Sequence, residues 1–176
     1  MNFRYIILLA FSLSIPARAY AVDGYVGLGI GQSEINQGVF GEYGDGYKIF
    51  GGVRLHPNLA LEAAYLDYGK PKENLFGVET EYEATAVAAW AKGLWPVTQK
   101  IDLLGKLGLA SWNVKKTTTI FGSPPSTTKS DGTNFTWGIG AAFNYWDSFS
   151  IQAEYEDVVA GDDTMTLWSI SGLYRF

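Results

Sequence analysis

The chain of 176 residues contains no cysteine and a single histidine. No disulfide framework and no cysteine-ligated metal site can form, and a serine nucleophile would have only His56 as its base. His56 stands beside Pro57 and Asn58, a turn sequence, so it reads as a turn residue. No catalytic residue, metal ligand or cofactor site is expected. Charged residues make up 18% of the chain, with 13 basic against 18 acidic, which excludes a basic surface for nucleic acid. Gly27-Leu-Gly-Ile-Gly31 lacks the spacing of a phosphate-binding loop and precedes no helix. Nor does any apolar run approach the ~20 residues of a membrane-spanning helix. A membrane can then be crossed only by a closed barrel, because each backbone polar group in the bilayer must be bonded within the protein.

What is present begins with an export signal. Met1-Asn-Phe-Arg-Tyr5 carries one positive charge, residues 6–15 are mostly apolar, and Pro16-Ala-Arg-Ala-Tyr-Ala21 supplies small residues for cleavage after Ala19 or after Ala21. Residues 1–21 are expected to be a signal peptide and 22–176 a single domain. Cleavage removes Arg4 and Arg18 and no acidic residue, leaving 11 basic against 18 acidic residues, a net charge of −7.

The 21 glycines and 15% aromatic content suit strands and tight curvature. Alternation of period two marks eight segments, at 23–33, 46–55, 59–69, 81–94, 101–114, 133–146, 148–158 and 164–176. Each is near the ~9 to 11 residues of a tilted transmembrane strand. The last segment is the clearest. Trp168, Ile170, Gly172, Tyr174 and Phe176 share one parity, and Leu167, Ser169, Ser171, Leu173 and Arg175 the other. In the second, Tyr47, Ile49, Val53 and Leu55 oppose Lys48, Phe50 and Arg54; in the seventh, Phe149, Ile151 and Tyr155 oppose Gln152, Glu154 and Glu156. The fourth segment has little contrast, and Lys92 is placed inside because a lysine in hydrocarbon costs up to ~2 to 4 kcal/mol at mid-depth. The pattern predicts an all-β, eight-stranded antiparallel up-and-down transmembrane barrel with apolar residues towards lipid. Lys48, Arg54, Glu62, Lys92, Asp102, Lys106, Glu154 and Arg175 are then expected to fill the lumen as an ion-pair network, since buried ions are tolerated only when paired.

Connections alternate in length, except that the Ala160-Gly161-Asp162-Asp163 link is short on the long side. The turns around 56–58, 95–100 and 146–148 are short, whereas 34–45, 70–80 and 115–132 are long and rich in turn residues. Short periplasmic turns opposite longer outer loops, with both termini on the periplasmic side, is the expected arrangement. Phe40, Tyr43, Phe76, Ile120 and Phe121 are candidate contact residues of the outer loops. Glu154, Glu156, Asp157, Asp162 and Asp163 crowd one strand end and read either as solvated charge or as a cation-attracting patch.

Gly24-Tyr-Val-Gly-Leu-Gly-Ile-Gly-Gln-Ser33, Leu59-Ala-Leu-Glu-Ala-Ala-Tyr-Leu-Asp-Tyr-Gly69, Leu103-Leu-Gly-Lys-Leu-Gly-Leu-Ala110 and Gly172-Leu-Tyr-Arg-Phe176 resemble the eight-stranded barrels related to the transmembrane domain of outer-membrane protein A and the opacity-type surface proteins. The resemblance implies residence in the bacterial outer membrane among lipid and lipopolysaccharide. It further implies that Trp168, Ile170, Tyr174 and Phe176 are read by the barrel-assembly machinery, and that Glu62, Arg54, Lys106 and Glu154 form the lumen's ion-pair set. No peptidoglycan-binding domain follows Phe176, so cell-wall anchoring is not implied. The expected role is structural or surface-interacting, without catalysis. A small gated pore and an adhesin that binds a host or cell-surface ligand are the alternatives. A soluble lipocalin-like carrier would need the apolar parity to point inward, against the terminal phenylalanine and the aromatic rims.

Overall fold

The computed structural model describes residues 23–37, 40–70, 72–75, 78–120, 125–160 and 163–176, so the expected signal peptide lies outside the described residues. Alternating side chains build β1 (Asp23–Gln37), β2 (Phe40–His56), β3 (Leu59–Asp67), β4 (Lys72–Leu75), β5 (Val78–Pro96), β6 (Ile101–Ile120), β7 (Ser126–Trp146), β8 (Phe149–Ala160) and β9 (Asp163–Arg175). Neighbouring strands pair antiparallel in the order β3-β2-β1-β9-β8-β7-β6-β5-β4, and β3 also pairs with β5. That last pairing closes eight strands into a ring and leaves the four-residue β4 outside it, as a short hairpin arm on β5. The seam between the ends of the chain is tied by two bonds, in which the Gly24 and Phe176 N–H groups donate to each other's carbonyls at 3.2 and 2.9 Å.

The parity is inverted relative to a water-soluble protein. Along β3, Leu59, Leu61, Ala63 and Tyr65 are exposed while Ala60, Glu62, Ala64 and Leu66 are buried. Leu28 (66% exposed), Ile30 (75%), Leu107 (60%) and Ile170 (64%) continue this apolar outer surface around the ring. So wide a band of exposed aliphatic side chains is stable only against lipid. Aromatic side chains edge it. Tyr145, Trp146 and Phe149 pack together at the rim that carries the termini, and Trp137, Tyr155 and Trp168 pack at ring-centroid distances of 5.5 and 4.7 Å nearer the other.

Turns at the terminal rim are tight and internally bonded. Asn58 donates from its backbone N–H to His56 Nδ1 at 3.2 Å and from its side chain to the Leu94 carbonyl at 2.8 Å, so the histidine serves its turn. The Thr98 hydroxyl accepts from the Lys100 and Ile101 N–H groups, the geometry by which threonine fixes a turn.

At the opposite rim the expectation of long loops is corrected. The segments 34–45 and 115–132 are largely continuations of the β1–β2 and β6–β7 hairpins, with pairing out to Gln37↔Phe40 and Thr118↔Ser126. β6 and β7 run to 20 and 21 residues, about twice what a bilayer needs. Thr117, Thr118, Thr119, Thr127 and Thr128 supply the β-branched residues that keep them extended.

Candidate functional site

Among the described residues, the middle of the barrel interior gathers six ionic side chains, three lysines and three glutamates, each 3% exposed or less. They come from five strands: Lys48 on β2, Glu62 on β3, Lys92 on β5, Lys106 on β6, and Glu154 with Glu156 on β8. Strand alternation points each inward; the stagger of the ring brings them to neighbouring levels. Lys106 Nζ lies 2.7 Å from Glu62 Oε1, 2.7 Å from Glu154 Oε1 and 2.6 Å from Glu156 Oε1. Lys48 Nζ reaches Glu154 Oε2 at 2.5 Å and Glu156 Oε2 at 3.0 Å. Lys92 Nζ donates to Glu62 Oε2 at 2.7 Å and to Gln152 Oε1 at 3.1 Å. The Tyr25 hydroxyl donates to Glu62 Oε2 at 2.9 Å.

The register gives Glu62 a particular task. Lys92 and Lys106 stand directly opposite each other on β5 and β6, an arrangement that like charges resist. One Glu62 carboxylate oxygen takes each ammonium, so the two lysines are bridged by a single anion. The aromatic faces of Trp90, Phe50 and Tyr25 add cation–π contacts, with Lys106 Nζ 4.6 Å from the Trp90 centroid. Glycine makes room for this. A Cβ on Gly27, opposite Phe50, would lie 2.2 Å from the Phe50 ring.

Large buried apolar side chains flank the ionic layer on both sides. Leu66, Tyr68, Val158, Met165 and Leu167, all without exposure, lie towards the hairpin end, and Leu104 and Leu173 towards the terminal rim. The oxygens of Glu62, Glu154 and Glu156 fall within 4.8 Å of one another, a spacing a hard cation could use, but the Lys106 ammonium occupies their centre. The three lysines and three glutamates balance in charge.

A family model described as the outer membrane protein beta-barrel domain matches residues 5–176. The chain belongs to the outer-membrane β-barrel family. Its structural relatives include Ail, the attachment invasion locus protein of Yersinia pestis, solved in complex with the heparin analogue sucrose octasulfate (17% identity, TM-score 0.64, 88% of this chain and 99% of that one). Neisserial surface protein A matches with 14% identity and a TM-score of 0.68 over 87% and 97% of the two chains. The N-terminal barrel of Pseudomonas aeruginosa OprF matches with 14% identity and a TM-score of 0.61 over 86% and 97%. No curated protein matches the sequence. This chain is accordingly an outer-membrane β-barrel protein with its lumen filled by buried ionic side chains.

Of the charged residues expected in the lumen, the barrel brings Lys48, Glu62, Lys92, Lys106 and Glu154 together. Arg54, Asp102 and Arg175 sit elsewhere, near the terminal rim. There Arg175 donates to Asn144 Oδ1, to Ser150 Oγ at 2.5 Å and to the Asp147 carbonyl, and Asn144 donates to Asp102 Oδ2 at 2.9 Å. Arg54 lies six residues along β2 from Lys48 and opposite Ala60, one inward position towards the terminal rim from the Gly52↔Glu62 level, and among the described residues no ion pair joins it to Glu62, whose two oxygens are taken by Lys92 and Lys106. Glu156 is the member that sequence reading placed in a solvated or cation-attracting acidic patch; it is fully buried and ion-paired, as Glu154 is. Inward parity with Glu154 was the signal for it.

Of the loop candidates, Tyr43 is 62% exposed on β2. Phe40 opens β2 and Ile120 ends β6, while Phe76 and Phe121 lie outside the described residues. Above the aromatic belt, Glu83 on β5 receives both Lys70 and Lys115, the latter at 3.0 Å. Hydrogen bonds from Lys70 and then Lys115 lower its carboxyl from the ordinary 4.5 to about 2. This pair clamps the start of the β6–β7 hairpin to β5.

Proposed function

We propose that this outer-membrane barrel is a non-conducting, non-catalytic scaffold that presents its outer hairpins for surface contact. The observation that carries the reading is the neutral, fully paired ionic layer flanked on both sides by large buried apolar side chains. An ion crossing the lumen would have to break buried pairs and pass the apolar side chains on both sides, each step costing several kcal/mol. The filled lumen leaves the hairpins as the part able to meet a partner.

Export depends on residues 1–21, removed after Ala19 or Ala21, and both termini stay periplasmic. Trp168, Ile170, Tyr174 and Phe176, all exposed on one face of the closing strand, suit recognition by the barrel-assembly machinery. Outer-leaflet lipid and lipopolysaccharide surround the barrel, and a host or cell-surface ligand is met by the hairpins. The test is a planar-bilayer recording of refolded protein across a range of voltages, where no discrete conductance steps are expected. Reproducible steps in the wild type would overturn the plugged reading. For the contact role, the hairpin between residues 117 and 128 is cut to an Asn-Gly turn and cell binding is compared; equal binding would end it.

A further inference from the structure

Among the described residues, the upper part of β7 is paired with a strand on one side only. Its pairing with β6 continues out to Thr118↔Ser126, but its pairing with β8 ends at Thr136↔Val158, and β8 and β9 turn back on each other at Ala160↔Asp163. Among the described residues, 126–135 therefore present a row of main-chain donors and acceptors with no strand paired to them on that side, and most are exposed. Such an edge takes another extended chain through main-chain hydrogen bonds, and the side chains that fall opposite each other select the partner.

This edge is complementary to itself. Laid antiparallel on a second copy with Ser130 opposite Ser130, Lys129 falls opposite Asp131 and Asp131 opposite Lys129, with Thr127 opposite Thr133 at both ends. All four of these residues share one face of the strand. Among the described residues neither Lys129 nor Asp131 has an ion pair or hydrogen bond within its own chain, so both are free for the second copy. The register is specified. Sliding the centre to residue 129 or 131 sets a charge opposite its own copy, and a half-step slip mates opposite faces.

We propose that the exposed edge of β7 is a homotypic docking site at which two copies of this chain join antiparallel. The contact is two-fold and isologous, each copy giving the same patch. Copies in one membrane point the same way, so antiparallel pairing joins copies standing in two facing membranes. The occupant is thus a second copy on an apposed outer membrane. This rests on the reading above that the hairpins project from the cell surface. At about 3.3 Å per residue the ten free residues give the edge a length of roughly 30 Å, enough to seat seven opposed pairs.

The experiment uses full-length refolded protein at one copy per lipid nanodisc, with disc pairing followed by sedimentation. Wild-type discs should pair. Lys129→Asp and Asp131→Lys each set like charges opposite at both symmetric positions, and either variant alone should pair at least about tenfold more weakly. A mixture of the two variants restores opposite charges at both positions and should pair as the wild type does. The proposal is overturned if wild-type discs stay single, if either variant pairs with itself like the wild type, or if the mixture fails to recover. Heat-modifiable gel migration confirms that each variant is folded. A folded barrel that is electrically silent but leaves discs unpaired would sink this inference and keep the plugged-barrel reading.

Discussion

Glu62→Gln removes one charge from the lumen with almost no change in shape, so its effect isolates the electrostatics of the ionic layer. The substituted amide can still accept from Tyr25, whose hydroxyl now donates to Glu62 Oε2 at 2.9 Å. What disappears is the anion between Lys92 and Lys106, which stand opposite each other with Nζ atoms 2.7 Å from its two oxygens. Three ammoniums would then face two carboxylates in a layer that is 3% exposed or less. An uncompensated charge of this kind costs about 3 to 5 kcal/mol, or roughly a hundred- to several-thousand-fold in the folding equilibrium. Lys92→Met alone should cost a similar amount, since it leaves three carboxylates facing two ammoniums, with Glu62 Oε2 held by the neutral Tyr25 hydroxyl only. The double variant leaves Lys48 and Lys106 against Glu154 and Glu156, all four still paired at 2.5 to 3.0 Å. It should therefore be more stable than the sum of the single effects by about 1 to 3 kcal/mol. Urea unfolding in lipid vesicles, followed by tryptophan fluorescence, measures all four proteins. Additive single effects, or a Glu62→Gln loss below about 0.5 kcal/mol, would refute the claim that this layer is held by charge balance.

Three other perturbations address the remaining surfaces. Ile139, 56% exposed and paired with Gly105 and Tyr155, stands near mid-depth on the lipid face, so Ile139→Arg should cost about 2 to 4 kcal/mol in the same vesicle assay; a change near zero would remove that position from the hydrocarbon. Glu83 has its carboxyl lowered to about 2, so the clamp it forms with Lys70 and Lys115 contributes fully above pH 4.5 and is lost as pH falls towards 2. A carbon-13 titration of that carboxyl should show a midpoint near 2 that moves up in Lys115→Ala, and an unshifted midpoint in both proteins would dismiss the clamp. Phe176→Ala should lower the amount of heat-modifiable protein in outer membranes several-fold while in vitro refolding is unchanged; equal losses in both would mean that Phe176 only packs.

The fold was legible because lipid inverts the sense of burial and keeps its period. Ile49, Leu61, Leu107 and Ile170 alternate with smaller or polar partners as in any half-buried strand, and the charges at Lys48, Glu62, Lys106 and Glu154 tell which parity is inward. The same logic stops at the membrane surface. Beyond Val114 and Asn134 both faces of the β6–β7 hairpin meet water, the apolar alternation ends, and a continuous strand pair rich in threonine, serine and lysine reads as a loop. Which inward charges meet was less legible, for a geometric reason. Alternation fixes the direction of a side chain but not its height, and height in a ring depends on the stagger between strands. Arg54 and Lys48 share a face of β2, yet only Lys48 stands level with the β8 glutamates.

That dependence on stagger also explains how one narrow lumen can carry six charges. Lys48 takes Glu154 and Glu156 from the far side of the ring, while Lys92 and Lys106 arrive side by side and need Glu62 between them. A slip of one residue in any of these ladders would turn its charge into lipid and leave the partners unpaired, so the ionic layer penalises wrong registers more strongly than it favours the native state over an apolar filling. The lumen charges thus act chiefly on specificity. Replacing all six by apolar residues of similar volume should leave stability within a few kcal/mol of the wild type but give a mixture of registers, visible as doubled amide resonances for β2 and β8. A single, sharp set of resonances from that variant would show that the lipid-facing pattern alone specifies the barrel.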